Sequence, residues 1–161
     1  MKTLYIFRHA KSSWDLPVAD KDRPLALKGI KDAHLMGSHL AGKLSPPQVC
    51  LSSPANRALH TAVILCKQLQ IPSEQIKITD ELYDFYGDNL LKVIRAQPKN
   101  LSHLMLFGHN NAITNIVNIL GDREIANVST CGFVELVFDV AEWYEVQTGV
   151  VKQFIKPKAL K

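Results

Sequence analysis

Short, wholly apolar runs that break off at charged residues recur along the chain. In "TLYIFRHA" the residues Leu4 to Phe7 are all apolar and lead straight into Arg8 and His9. A run this short, without polar alternation, predicts a strand covered on both faces. "HLMLFG" (His103 to Gly108) repeats the pattern and delivers His109. "QVCLSS" (Gln48 to Ser53) reads as a further strand, and "QIKIT" (Gln75 to Thr79) as a short one of alternating character.

Between these runs the period changes to that of a helix. Ala33, Met36, Gly37, Leu40 and Leu44 fall on one face, which predicts a helix from about Leu27 to Leu44. "LSPP" would end it, because proline cannot continue a helix. "SPANRALH" carries a helix-start signature, with Ser53 at the N-cap and Pro54 at the first helical position. A third helix is expected from about Asn89 to Ala96, after the loop "DELYDFYGDN". A fourth follows His109, with Asn110 or Asn111 as its cap; Ile113, Ile116, Val117 and Leu120 form its apolar face, and Gly121 ends it. "GFVELVFDV" and "WYEVQTGVVKQFI" read as two antiparallel strands at a sheet edge. Strands alternating with helices define an α/β class: a mostly parallel sheet with an antiparallel edge and helices on both faces. No repeat or linker interrupts it, so residues 1–161 are expected to form one domain.

Composition narrows the function classes. The chain is 47% hydrophobic and 21% charged, a globular balance. Its formal charge of +4 is too small to demand nucleic acid and suits small anions or an acidic partner. Cys50, Cys66 and Cys131 have neither zinc nor redox spacing and read as reduced, small apolar residues. The apolar stretch near Met1 is too short for a signal peptide, and no run reaches membrane length. A soluble cytoplasmic protein without membrane or nucleic-acid partners is expected; oligomeric state is not legible.

Three strand-to-helix junctions carry groups suited to an anion. The first holds Arg8 and His9, the second Arg57 in the first turn of a helix, and the third His109 just before a helix N-terminus. The carboxyl ends of parallel strands share one rim, so these four side chains are placed to converge. Helix N-termini add unpaired N–H groups and a positive dipole end, which favour phosphate. Two arginines aimed at one spot would repel a dication, so no metal or other cofactor is expected.

At these residues the chain resembles the histidine phosphatase superfamily. "RHA" (Arg8-His9-Ala10) stands for the family's Arg-His-Gly motif, "SSPANRALHTA" for its second arginine segment, and "GHN" for its second histidine. "RHAKSSWD", "DRPLALKG" and "DELYDFY" look most like the small phosphohistidine phosphatases of the SixA type. The resemblance implies a phosphoglycerate-mutase-like domain without a cap. It implies His9 as nucleophile, with Arg8, Arg57 and His109 binding the phosphoryl group. Neighbouring cations would lower the His9 pKa and keep its imidazole neutral. Losing either arginine should cost on the order of 3 kcal/mol in the barrier. Glu81 would be the proton donor or a loop carboxylate, and Ser12 a further phosphate ligand.

Two positions depart from the family pattern. Ala10 replaces a glycine, and Asp15 stands where related mutases have an asparagine on the phosphoryl group. Asp15 would repel phosphate unless it turned away or paired with Lys11 or Arg23. The expected activity is metal-independent phosphatase chemistry through a phosphohistidine intermediate, acting on phosphohistidine in proteins. The alternatives are a small-molecule phosphomonoesterase, a phosphoglycerate-mutase-like phosphotransferase, and a non-catalytic phosphate-binding module.

Overall fold

The computed structural model describes all residues, Met1–Lys161. Strands β1 (Lys2–Arg8), β2 (Val49–Ser52), β3 (Ile76–Ile78), β4 (His103–Gly108), β5 (Phe133–Phe138) and β6 (Val150–Ile155) form one sheet in the order β3-β2-β4-β1-β5-β6. The first four run parallel; β5 is antiparallel to β1, and β6 to β5. The mixed α/β architecture and its antiparallel edge are those expected. No cap unit is inserted between the elements.

Alternate side chains of the central strands feed two separate cores. Tyr5, Phe7, Met105 and Phe107 face one side, beneath α1 (Leu27–Leu40) and α2 (Asn56–Gln68). Leu4, Ile6, Leu104 and Leu106 face the other, beneath α3 (Asp88–Arg95) and α4 (Ala112–Leu120). Burial on both sides explains why β1 and β4 read as unbroken apolar runs. Phe7 and Phe107 stack across the ladder, with ring centroids 4.9 Å apart and planes 7° from parallel. Each such buried side chain contributes roughly 1.5–3 kcal/mol by leaving water.

Helix α1 stops at Leu40, one turn before the expected Leu44. Gly42 takes φ of +75°, a left-handed conformation that ends the helix ahead of the prolines. Gly29 has a different task. A Cβ there would lie 2.1 Å from the Lys11 carbonyl oxygen, so only glycine lets α1 approach the segment after His9. Helix α2 begins at Asn56 with Ala55 at the N-cap, two residues later than Ser53 would place it. The reason is that the Ser53 hydroxyl is engaged elsewhere. At α4 the N-cap is Asn111, while the Asn110 side chain accepts the Thr114 N–H at 3.1 Å.

Candidate active site

The site forms at the carboxyl ends of β1, β2 and β4. In the parallel β1–β4 ladder Arg8 lies opposite Gly108, and the His9 N–H donates to the Gly108 carbonyl at 3.0 Å. His9 and His109 therefore leave neighbouring strands in step, and their ring centroids stand 5.2 Å apart. The two histidines share one side of the molecule.

Hydrogen bonds assign each ring its protons. His9 Nδ1–H donates to the Ala10 carbonyl at 2.7 Å, which leaves Nε2 without a proton. Ser53 Oγ accepts the Ala55 N–H at 3.2 Å, so its own proton is free to reach His109 Nε2 at 2.8 Å. With the hydroxyl as donor, the His109 ring proton sits on Nδ1, an atom buried without a partner. Arg8 Nε is likewise buried and unpartnered, although Nη1 donates to the Val128 carbonyl at 3.0 Å. Two orphaned donors at one site call for an acceptor, and an anion supplies it.

Electrostatics keeps both imidazoles neutral. Burial, reinforced by Arg57, Arg8 and Arg23, lowers the His9 pKa to about 4. Burial together with His9 and Arg57 lowers His109 to about 3. The depression expected from the cations is present, and desolvation is its larger cause. His9 is thus neutral at neutral pH, with Nε2 carrying a free lone pair.

Arg57 reaches the site from the first turn of α2 and is only 3% exposed. Its guanidinium donates to Asp20 twice: Nη1 to the carbonyl at 2.6 Å and Nη2 to the carboxylate at 2.9 Å. Asp20 begins a 3₁₀ turn, Asp20–Asp22. Tyr83 donates its hydroxyl to the same carboxylate oxygen, and its ring meets His109 edge-on at 5.3 Å. Neither Asp20 nor the site contact of Tyr83 was expected. The "DKDR" loop has no periodicity to place it; its only signal is charge density shortly after Arg8-His9.

The remaining candidates fall on both sides of expectation. Ser12 is buried, and its Oγ accepts Arg23 Nη2 at 2.5 Å. Glu81 is exposed on the 3₁₀ turn Asp80–Leu82 and forms no hydrogen bond or ion pair. Asp15 is exposed and pairs with neither Lys11 nor Arg23; Arg23 instead lies on the Trp14 ring face, 3.2 Å from its centroid. Ala10 has no positive φ, its methyl joins the Tyr5 and Phe7 core, and its N–H donates to Thr61 Oγ1 at 2.9 Å. The glycine-to-alanine change therefore costs the backbone nothing.

A bare imidazole nitrogen, two guanidinium groups and unpartnered buried donors together suit a bound anion. The histidine phosphatase superfamily (branch 1) model matches residues 4–90, and the chain belongs to that family. It is a hydrolase acting on phosphorylated substrates.

Particular relatives refine the picture. An uncharacterized protein of Mycobacterium tuberculosis is 30% identical over 113 residues, covering 70% of this chain and 68% of that one. The structure is similar to a candidate phosphohistidine phosphatase SixA from Agrobacterium tumefaciens, with a TM-score of 0.81, 25% identity, and coverage of 97% and 98% of the two chains. The protein histidine phosphatase SixA complexed with tungstate shares the fold at a TM-score of 0.82 and 21% identity, each chain covered over 99%. No helix is long and apolar enough to cross a membrane.

Proposed function

We propose that the protein is a metal-independent phosphohistidine phosphatase that works through a phosphorylated His9. The observation that carries this reading is the bare, neutral Nε2 of His9 beside Arg8, Arg57 and the orphaned Nδ1–H of His109. In the first step Nε2 attacks phosphorus, a P–N bond to histidine forms, and the bond to the leaving group breaks. The leaving group takes up a proton. In the second step water attacks phosphorus, inorganic phosphate departs and His9 is restored. Arg8, Arg57 and His109 meet the charge on the equatorial oxygens in both steps. Arginine suits this task because its planar fork grips two oxygens at once.

The favoured substrate is phosphohistidine borne on a protein. An uncapped rim, with Trp14 and Tyr86 75% and 82% exposed, supports access by a macromolecule. The similarity to the SixA proteins points the same way. Phosphohistidine also makes little demand for acid catalysis, since its leaving imidazole is readily protonated. Where a leaving group needs a proton, Glu81 supplies it, being a carboxylate uncommitted to any ion pair. Ser12 adds a hydroxyl near the loop after His9. Residues 1–161 act as one catalytic unit, and three free, buried cysteines fit a reducing cytoplasm.

Release of inorganic phosphate from a phosphohistidine peptide and from a phosphomonoester, by the wild type and by His9→Ala, tests the reading. Faster release from the peptide, lost in H9A, is expected. Equal release by both proteins would end the nucleophile assignment. Preference for the monoester would favour a metabolite phosphatase, and phosphate bound without turnover a binding module.

A further inference from the structure

A single carboxylate stands among the cations of the site. Asp20 Oδ2 receives Arg57 Nη2 and the Tyr83 hydroxyl, and Oδ1 receives Arg23 Nη1 at 3.3 Å. Its backbone carbonyl takes Arg57 Nη1 as well. Arg57 is nearly inaccessible to water, and both hydrogen bonds its guanidinium donates go to Asp20, so Asp20 is the main determinant of how its fork is turned.

We propose that Asp20 is a positioning residue, which holds the Arg57 guanidinium in the orientation that receives the transferring phosphoryl group. The inference rests on the reading of Arg57 as a phosphoryl ligand.

Two other roles are disfavoured by the same geometry. Burial pushes the Asp20 carboxyl up, but hydrogen bonds from Tyr83 and Arg57 and the charge of Arg57 outweigh it and hold the pKa at about 2. A group that stays ionised at neutral pH has no proton to give a leaving group. Nor need the carboxylate act as a plug that phosphate must expel. Of the five N–H donors of a guanidinium, two are directed at Asp20, which leaves three for an incoming anion. Asp20 also lies on the 3₁₀ turn tied to α2, because Asn56 Nδ2 donates to the Asp22 carbonyl at 3.0 Å. Loop, helix and arginine are thereby locked together, and a fork free to rotate would meet phosphate in many orientations. Misplacement of a binding group by about 1 Å can cost on the order of 100-fold in rate.

A double-mutant cycle between Asp20 and Arg57 tests the proposal, with kinetics on a phosphohistidine peptide and affinity for inorganic phosphate as separate readouts. In Asp20→Ala we expect kcat to fall about 10- to 100-fold and phosphate to bind more weakly. The same change in an Arg57→Ala background should cost nothing further, because the group being positioned is gone. Asp20→Asn keeps an oxygen for Arg57 Nη2 and the Tyr83 hydroxyl, gives up the Arg23 Nη1 bond because an amide NH2 cannot accept it, and should recover most of kcat. Thermal melts show whether D20A folds; if it does not, D20N and the same variant on R57A decide. Losses that add in the double variant, an unchanged kcat in D20A, or tighter phosphate binding on removal of the carboxylate would each overturn the proposal. If the wild type hydrolyses none of the substrates, the functional reading falls, while the phosphate-affinity cycle still decides the role of Asp20.

Discussion

Lowering the pH from 7 to 5 should destabilise the unliganded protein steeply, through two groups of the site itself. His9 and His109 are 8% and 1% exposed, with pKa values near 4 and 3 where an ordinary histidine has 6.5. Both folded values lie below the unfolded one, so the unfolded chain binds more protons and stability falls as pH drops from 6.5 toward 4. Each pH unit of displacement corresponds to about 1.4 kcal/mol, which gives about 3 kcal/mol for His9 and about 5 for His109. Those full values are reached only at pH 4 and 3; between pH 7 and 5 each group counts only the 1.5 pH units below 6.5, so a combined loss of about 4 kcal/mol is expected. That approaches the lower end of whole-domain stability, about 5–15 kcal/mol. Asp20 does not compensate in this window. Its depressed carboxyl contributes stability that is lost only as pH falls from about 4 toward 2. Urea unfolding in phosphate-free buffer, at half-unit steps between pH 7 and 4.5, measures the effect. Between pH 6 and 5 the slope should approach roughly 2.7 kcal/mol per pH unit, two protons' worth, and roughly half that in H9A or H109Q. A flat profile above pH 5, or an undiminished slope in both variants, would refute the protonation argument.

Catalysis should track the same chemistry. The acid limb of kcat/KM that belongs to the free enzyme should fall near pH 4, and a limb at 6.5 that persists with a substrate not titrating there would show His9 to be solvated. Ser53→Ala leaves His109 Nε2 without its hydroxyl, so we expect about tenfold lower kcat at nearly unchanged melting temperature; an unaltered kcat would mean that His109 needs no such tether. Glu81→Gln should change turnover of a phosphohistidine peptide less than about twofold and slow an alkyl phosphomonoester more than about tenfold; equal effects on both would remove Glu81 as proton donor.

The two most apolar strands were the most legible parts of the chain. β1 and β4 are buried on both faces, so pattern and length alone locate them and the histidines that follow. Arg57 was legible because a helix N-terminus places its first turn beside a strand end. Ser53 departs from the cap its position predicts because a serine before proline offers one hydroxyl to two tasks, a cap or a long-range bond, and the histidine 56 residues away wins it. Asp20 was invisible for a related reason. Its partners Arg57 and Tyr83 lie 37 and 63 residues distant, and no local period reports such contacts. The early end of α1 was written in Gly42, whose left-handed conformation outweighs the apolar spacing that continues to Leu44.

The step-for-step pairing of Arg8 with Gly108 has an evolutionary corollary. The gap between the two imidazoles is gauged by the sheet ladder rather than by any loop, so rim residues that hold no site group, such as 14–18 ahead of Asp20, can be rewritten for new clients without detuning the reaction. Inserting or deleting one residue inside β1 or β4 is a different matter, since it swings a ring to the opposite face. Diversity among descendants of this chain should accordingly gather at the margins and spare those two ribbons.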